Sequence, residues 1–117
     1  MLRGNKITIK SVSLDNTSLS SVIYAALGKP SQTKVQEVIN SYKNPNKAII
    51  GVFVENSLLG ILGFSKSSQV VTINHVSILA KYQKQGLGTL LVNKIKKDYQ
   101  GFKIISETDE EAVDFYV

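Results

Sequence analysis

The residues best able to do chemistry lie in one short run, Gln83-Lys84-Gln85-Gly86-Leu87-Gly88-Thr89, which follows a long apolar stretch and opens a helical pattern. Two glycines separated by one residue let a backbone turn without Cβ clashes and come close to a ligand. A helix starting there aims its first N–H groups, and the positive end of its dipole, at one spot. Such a spot suits the phosphates of a nucleotide-like molecule, and Thr89 can add a hydroxyl. A bare Gly-x-Gly also serves simply to turn a corner. The run is not the dinucleotide fingerprint, because position 91 is Leu, nor a Walker loop, because no Gly-Lys-Ser/Thr follows.

Composition narrows the rest. There is no cysteine and a single histidine, His75. That excludes disulfides, cysteine nucleophiles, thiolate zinc sites and histidine-cluster metal sites. His75 sits inside an apolar run and reads as a structural histidine, so chemistry must rely on backbone groups, Tyr, Asp/Glu or a cofactor with its own reactivity. The net charge of +5 admits an anionic ligand. The lysines are scattered apart from Lys94, Lys96 and Lys97, and Arg3 is the only arginine, so no nucleic-acid partner is expected. The longest apolar runs, Ala48–Val54 and Leu58–Phe64, are too short to span a bilayer, and Met1–Lys10 has no signal-peptide core. No membrane partner is expected, and the cytoplasm is the expected location.

The elements that must position the glycine run follow from periodicity. Lys6–Val12 alternates as a strand, with Ile7, Ile9 and Val12 as its buried set. Asp15 to Leu27 carries Leu19, Val22, Ile23, Ala26 and Leu27 at helical spacing, and Gly28-Lys29-Pro30 should end that helix. Ser31 can cap a second helix with the stripe Val35, Val38, Ile39 and Tyr42, and Asn44-Pro45-Asn46 is a turn. Ala48–Val54, a turn at Glu55-Asn56-Ser57 and Leu58–Phe64 form a hairpin. Ser65-Lys66-Ser67-Ser68 reads as a polar loop before a third strand, Val70–Leu79. That strand offers Thr72 and Asn74 on one face and His75 on the other. A helix from Leu87 to Tyr99 buries Leu87, Leu90, Leu91, Ile95 and Tyr99, Gly101 closes it, and Phe102–Ser106 is a further strand. Thr108-Asp109-Glu110-Glu111 has the form of a capping box for a last helix over Asp109–Val117. A helix that short, ending on Phe-Tyr-Val, reads as a truncated chain. The order β-α-α-β-β-β-α-β-α predicts a single α+β (mixed α/β) domain over residues 1–117, with a sheet that is antiparallel first and gains a parallel neighbour through the helix at 87–99.

With these elements in place the chain resembles the GNAT superfamily of N-acetyltransferases. The pyrophosphate signature of that family is Arg/Gln-x-x-Gly-x-Gly/Ala, which Gln83, Gly86 and Gly88 match in register. Ile78-Leu79-Ala80-Lys81-Tyr82 looks like its Val-x-Pro-x-Tyr, with Ala80 where proline is common, and Ala112-Val113-Asp114-Phe115-Tyr116 is similar to its Ala-x-x-Phe-Tyr. The resemblance covers essentially the whole chain. It implies a GNAT-like fold, lacking its final hairpin strands here, in which the backbone of Lys84, Gln85, Gly86, Leu87, Gly88 and Thr89 grips the pyrophosphate of acetyl-CoA.

It further implies a strand that splays from its parallel neighbour, often through a bulge, with the pantetheine arm along Val76 and Ile78. The Val76 N–H is then an oxyanion donor, and Tyr116 both touches the cofactor and protonates the departing thiolate. Asp109 stands where many members have a cofactor-holding asparagine, and capping suits it better. The general base is left open between His75, Glu107 and water. The expected function is transfer of an acetyl group to a small-molecule or peptide amine by direct attack in a ternary complex. The alternative is a CoA-binding or interaction module impaired by truncation. The acceptor should be chosen by Asp15–Tyr42. Loss of the final strand would uncover a sheet edge and favour a homodimer.

Overall fold

The computed structural model describes residues 6–26 and 31–106. The expected order of elements is found throughout that range: β1 (Ile7–Ser11), α1 (Leu19–Ala26), α2 (Gln32–Ser41), β2 (Lys47–Val54), β3 (Ser57–Ser67), β4 (Val70–Ile78), α3 (Leu87–Asp98) and β5 (Lys103–Ser106). The strands form one five-stranded sheet in the order β1-β2-β3-β4-β5. The first three pairings are antiparallel and β4–β5 is parallel, as predicted for a strand reached through a crossover helix. The helix expected from Asp109, with Ala112–Tyr116, lies outside the described residues, as do Gly28-Lys29-Pro30.

Both faces of the sheet are covered, which is why β2 and β3 are apolar almost without alternation. On one face α3 lays Leu87, Leu91 and Ile95 onto Val52, Leu62, Val71, Ile73, Val76 and Ile78. On the other, α1 and α2 bring Leu19, Val22, Ile23, Val35, Ile39 and Tyr42 against Ile49, Phe53, Leu58 and Ile61. Leu91 is fully buried, worth about 1.5–3 kcal/mol on area grounds, so the helix that opens at the glycine run is firmly seated. Ser77 fixes α1 to β4: its hydroxyl, in a side chain only 2% exposed, donates to the Val22 carbonyl at 2.8 Å. Ser77→Ala should lower stability by about 1 kcal/mol, read as a lower denaturant midpoint at unchanged slope.

Helix and strand ends depart from the sequence reading for local reasons. Helix α1 begins at Leu19 rather than Asp15, because the Asn16 side chain accepts from the Ser18 N–H at 2.8 Å and holds the preceding residues in a turn. Ser31 caps α2 as expected, accepting from the Lys34 N–H at 3.1 Å. The stretch 65–67 is strand and not loop: Ser65, Lys66 and Ser67 pair with Thr72, Val71 and Val70, and their polarity reflects exposure rather than a turn. The β2–β3 hairpin turns on Glu55 and Asn56 alone, both at positive φ (49° and 73°), the mirror-image turn that suits strand twist. Ile7 is 37% exposed because edge strand β1 is covered less than the centre, and Leu90 is 40% exposed because α3 rolls its seam onto 87, 91 and 95.

Candidate functional site

The site is built on the second half of β4 and the loop that leaves it. Strand β4 does not alternate strictly. Phe64 pairs with Ile73 and Gly63 pairs with His75, so Asn74 is an extra residue, a β-bulge. The consequence is visible in the core: Val71 and Ile73 face α3, and so do Val76 and Ile78, a slip of one position. His75 and Ser77 are thereby turned to the α1/α2 face, where His75 meets Tyr42 and Ser77 meets Val22. The expected placing of Thr72 and Asn74 opposite His75 is corrected accordingly: the slip sets Thr72 and His75 on the same face.

The bulge directly follows Ile73, the β4 residue opposite Ser106, where the described part of β5 ends. Described β4–β5 pairs run from Val70↔Lys103 to Ile73↔Ser106, while β4 continues to Ile78. Past the bulge the antiparallel ladder dictates which way each peptide points. The Leu79 N–H donates to the Leu59 carbonyl at 2.9 Å, so Leu79 faces β3. By the two-residue alternation Ser77 and His75 also face β3, and Val76 and Ile78 direct their N–H and C=O groups to the opposite edge. Their side chains are buried at 7% and 5% exposure, so it is backbone that faces that side.

After a single 3-10 turn, Ala80–Tyr82, the chain enters the glycine run. Lys84 and Gly86 both take positive φ, 64° and 83°, and α3 begins immediately at Leu87. Left-handed residues at such spacing fold successive N–H groups into a concavity that accepts an anion. A non-glycine residue in that region is uncommon and marks backbone held for a purpose. Helix α2 has a side-chain cap in Ser31, whereas α3 has Gly86 at its N-cap, no side-chain cap bond and no acidic residue in its first turn. Leu87 and Gly88 are buried while Gln83, Lys84, Gln85 and Gly86 are exposed, so the cradle opens to solvent on a fixed base.

Gln83 has a different part from its neighbours. Its side-chain amide donates to the Ile78 carbonyl at 3.0 Å, bracing the loop to the last residue of β4. The side chain thus ties the glycine run to the strand through one of the two outward-facing carbonyls. Sequence reasoning placed Tyr42 on the buried stripe of α2, where it is, but gave neither it nor Asn74 a part in shaping the site. The Tyr42 hydroxyl lies 2.6 Å from His75 Nδ1, over Gly63, so the histidine is held as a structural one would be. The adjacent polar pair Asn74-His75 in an otherwise alternating strand was the available signal for the bulge. Lys94 pairs with Asp98 at 3.2 Å on the exposed face of α3, as a solvated helix face should. Glu107, Asp109 and Tyr116 lie outside the described residues. Among the described residues no cluster of His, Asp or Glu could hold a metal ion, and no helix is long and apolar enough to cross a membrane.

A mixed sheet with a bulge in β4, followed by left-handed Lys84 and Gly86 at an α3 terminus without a side-chain cap, defines an α+β protein with an exposed backbone concavity at the head of that helix. The model of the Acetyltransferase (GNAT) family matches residues 17–117. The chain belongs to the GNAT acetyltransferase family. Solved structures agree on the fold. An aminoglycoside N-acetyltransferase in complex with CoA superposes at a TM-score of 0.73 with 15% identity over 97% of this chain and 84% of that one. An aminoglycoside acetyltransferase from an uncultured soil metagenomic sample, in complex with sisomicin, gives 0.72 and 18% over 93% and 84%. A ribosomal-protein-alanine N-acetyltransferase from Brucella melitensis gives 0.73 and 12% over 95% and 88%. At these identities the likeness is one of fold.

Proposed function

We propose that this chain transfers an acetyl group from acetyl-CoA to a primary amine by direct attack within a ternary complex. The observation that carries the reading is the uncapped α3 terminus behind the left-handed residues Lys84 and Gly86, placed at the end of a strand whose Val76 and Ile78 peptides face outward. The N–H groups of Lys84, Gln85, Gly86, Leu87, Gly88 and Thr89 would hold the pyrophosphate. The pantetheine arm would lie along Val76 and Ile78 as an added strand, with Gln83 fixing the register between strand and cradle. The Val76 N–H then donates to the thioester carbonyl as negative charge develops on its oxygen.

In the reaction a nitrogen–carbon bond forms to the acetyl carbonyl and the carbon–sulfur bond breaks. One amine proton is lost, and the departing thiolate takes up one. Tyr116 is the proposed donor to the thiolate and Glu107 the proposed acceptor of the amine proton, with water able to fill the latter role. Much of the rate would come from holding amine and thioester together. The acceptor is a small-molecule or peptide amine. Fold relatives include an aminoglycoside N-acetyltransferase and a ribosomal-protein-alanine N-acetyltransferase.

Acetyl-CoA at about a hundred times its Kd should stabilise the fold by roughly 2.7 kcal/mol and raise the melting temperature by several degrees. No shift under saturating acetyl-CoA would overturn the reading. Free-thiol release across a panel of amines then tests turnover. Tyr116→Phe should lower kcat about tenfold, less than a typical general acid contributes, because a thiolate leaves readily without help. An unchanged kcat would remove Tyr116 from the mechanism.

A further inference from the structure

The bulge on β4 presents two polar residues, Asn74 and His75, opposite Gly63 alone. The neighbouring polar groups are engaged: His75 Nδ1 with the Tyr42 hydroxyl, and the Ser77 hydroxyl with the Val22 carbonyl. Asn74 differs. Its Oδ1 is buried and has no hydrogen-bond partner, the one buried side-chain polar atom so placed among the described residues. A buried carbonyl oxygen without a donor is costly and uncommon, and calls for an explanation at the place where it occurs.

That place is specific. Asn74 follows Ile73, the last β4 residue in the described parallel pairing with β5. Along β4 from its C-terminal end, the order is cradle, Ile78, Val76, Asn74. If the phosphates lie at the cradle and the thioester at Val76, as the proposed function has it, Asn74 lies about 7 Å further along the strand, on the side away from the phosphates. On that reading the acceptor, which must meet the thioester carbon, binds beside Val76 on the side that the phosphates do not occupy. An amide oxygen accepts a hydrogen bond from a nitrogen but takes no proton at neutral pH.

We propose that Asn74 Oδ1 anchors the acceptor, accepting one N–H of a primary amine and so turning the nitrogen lone pair toward the thioester carbon. This inference rests on the acetyl-CoA reading above and adds to it the group that orients the second substrate. Asn74 binds and positions; the proton lost on attack goes elsewhere.

The test uses n-butylamine, a primary amine carrying little beyond the reacting group, titrated into the full chain saturated with CoA so that no turnover occurs. The Asn74 side-chain amide resonances should shift with the amine and stay unmoved by CoA alone. Asn74→Leu, which removes the orphaned oxygen at similar volume, should melt no lower than the parent and keep its full acetyl-CoA melting shift. Its apparent Kd for butylamine, followed at the Val76 amide, should rise about tenfold, or about 1.4 kcal/mol. A Leu variant that binds butylamine as the parent does, Asn74 resonances that ignore the amine, or resonances that respond to CoA instead would each overturn the anchor. Failure of acetyl-CoA to bind the parent chain would overturn the earlier reading, and is seen separately in the melting shift.

Discussion

Gly63→Ala is expected to cost about 2–4 kcal/mol of stability, although it adds a single methyl group to a central strand. A Cβ at this position would land on the Tyr42 hydroxyl and ring, with Cε1 at 2.8 Å and the ring's outer atoms nearer still. Tyr42 cannot yield easily. It is 5% exposed, packed among the apolar residues of α1, α2, β2 and β3, and held at its tip by His75 Nδ1 at 2.6 Å. Overpacking of a well-filled core costs about 1–3 kcal/mol, and displacing the tyrosine also breaks a part-buried hydrogen bond worth about 1 kcal/mol. Denaturant unfolding measures the loss directly. Because the methyl and the ring compete for one space, Gly63→Ala combined with Tyr42→Leu should cost less than the sum of the two single changes. A Gly63→Ala protein within about 0.5 kcal/mol of the parent, the range of ordinary surface substitutions, would show that the tyrosine does not need the glycine's space.

Gly86→Val is expected to weaken acetyl-CoA binding about a hundredfold, or roughly 2.7 kcal/mol, while leaving most of the fold intact. The space around Gly86 is open, with nothing within 4 Å of an added Cβ, so the effect is one of backbone and not of crowding. At φ +83° a β-branched residue is a true outlier, costing about 1–3 kcal/mol. The loop must either bear that strain or swing to negative φ, and the second course turns the cradle's N–H groups away from the anion. Lys84→Gly is the matched contrast. Glycine accepts φ 64° without strain, so the cradle keeps its shape and only one exposed charge is lost, an effect of no more than about fivefold. Calorimetric titration of both variants with acetyl-CoA separates shape from charge. Equal losses would show that the positive lysine, and not the left-handed turn, holds the ligand.

The turn that enters α3 was legible because its signals are local. Gln83, Gly86 and Gly88 mark a turn entering a helix, and Leu87, Leu91 and Ile95 repeat at helical spacing with enough regularity to place α3 to within a residue. Ser31 likewise announced the start of α2 through its own side chain. What escaped notice depends on partners distant in sequence. Whether Ser65–Ser67 is loop or strand is decided by Val70–Thr72 pairing with it, not by its own polarity. Leu90 satisfies the apolar spacing of α3 and is nevertheless exposed, since the roll of a helix on a sheet is set by the sheet. The bulge shifted the facing of every residue after Asn74. Strict alternation assigned His75 to one face, and the contact with Tyr42, from 33 positions earlier, decides for the other.

The same bulge bears on how this strand can change over evolutionary time. Substitutions along Asn74–Ile78 can be absorbed singly, because each alters one contact. A change in length cannot. Deleting His75 or Val76 while the bulge stays in place would turn the rest of the strand inside out, sending Ser77 into the layer beneath α3 and lifting Ile78 toward α1; only loss of the bulge itself would restore the phase. The peptides that now face outward would at the same time turn toward β3. One surplus residue acts as the phase reference for the whole half-strand, so this segment should vary freely in spelling and scarcely at all in count.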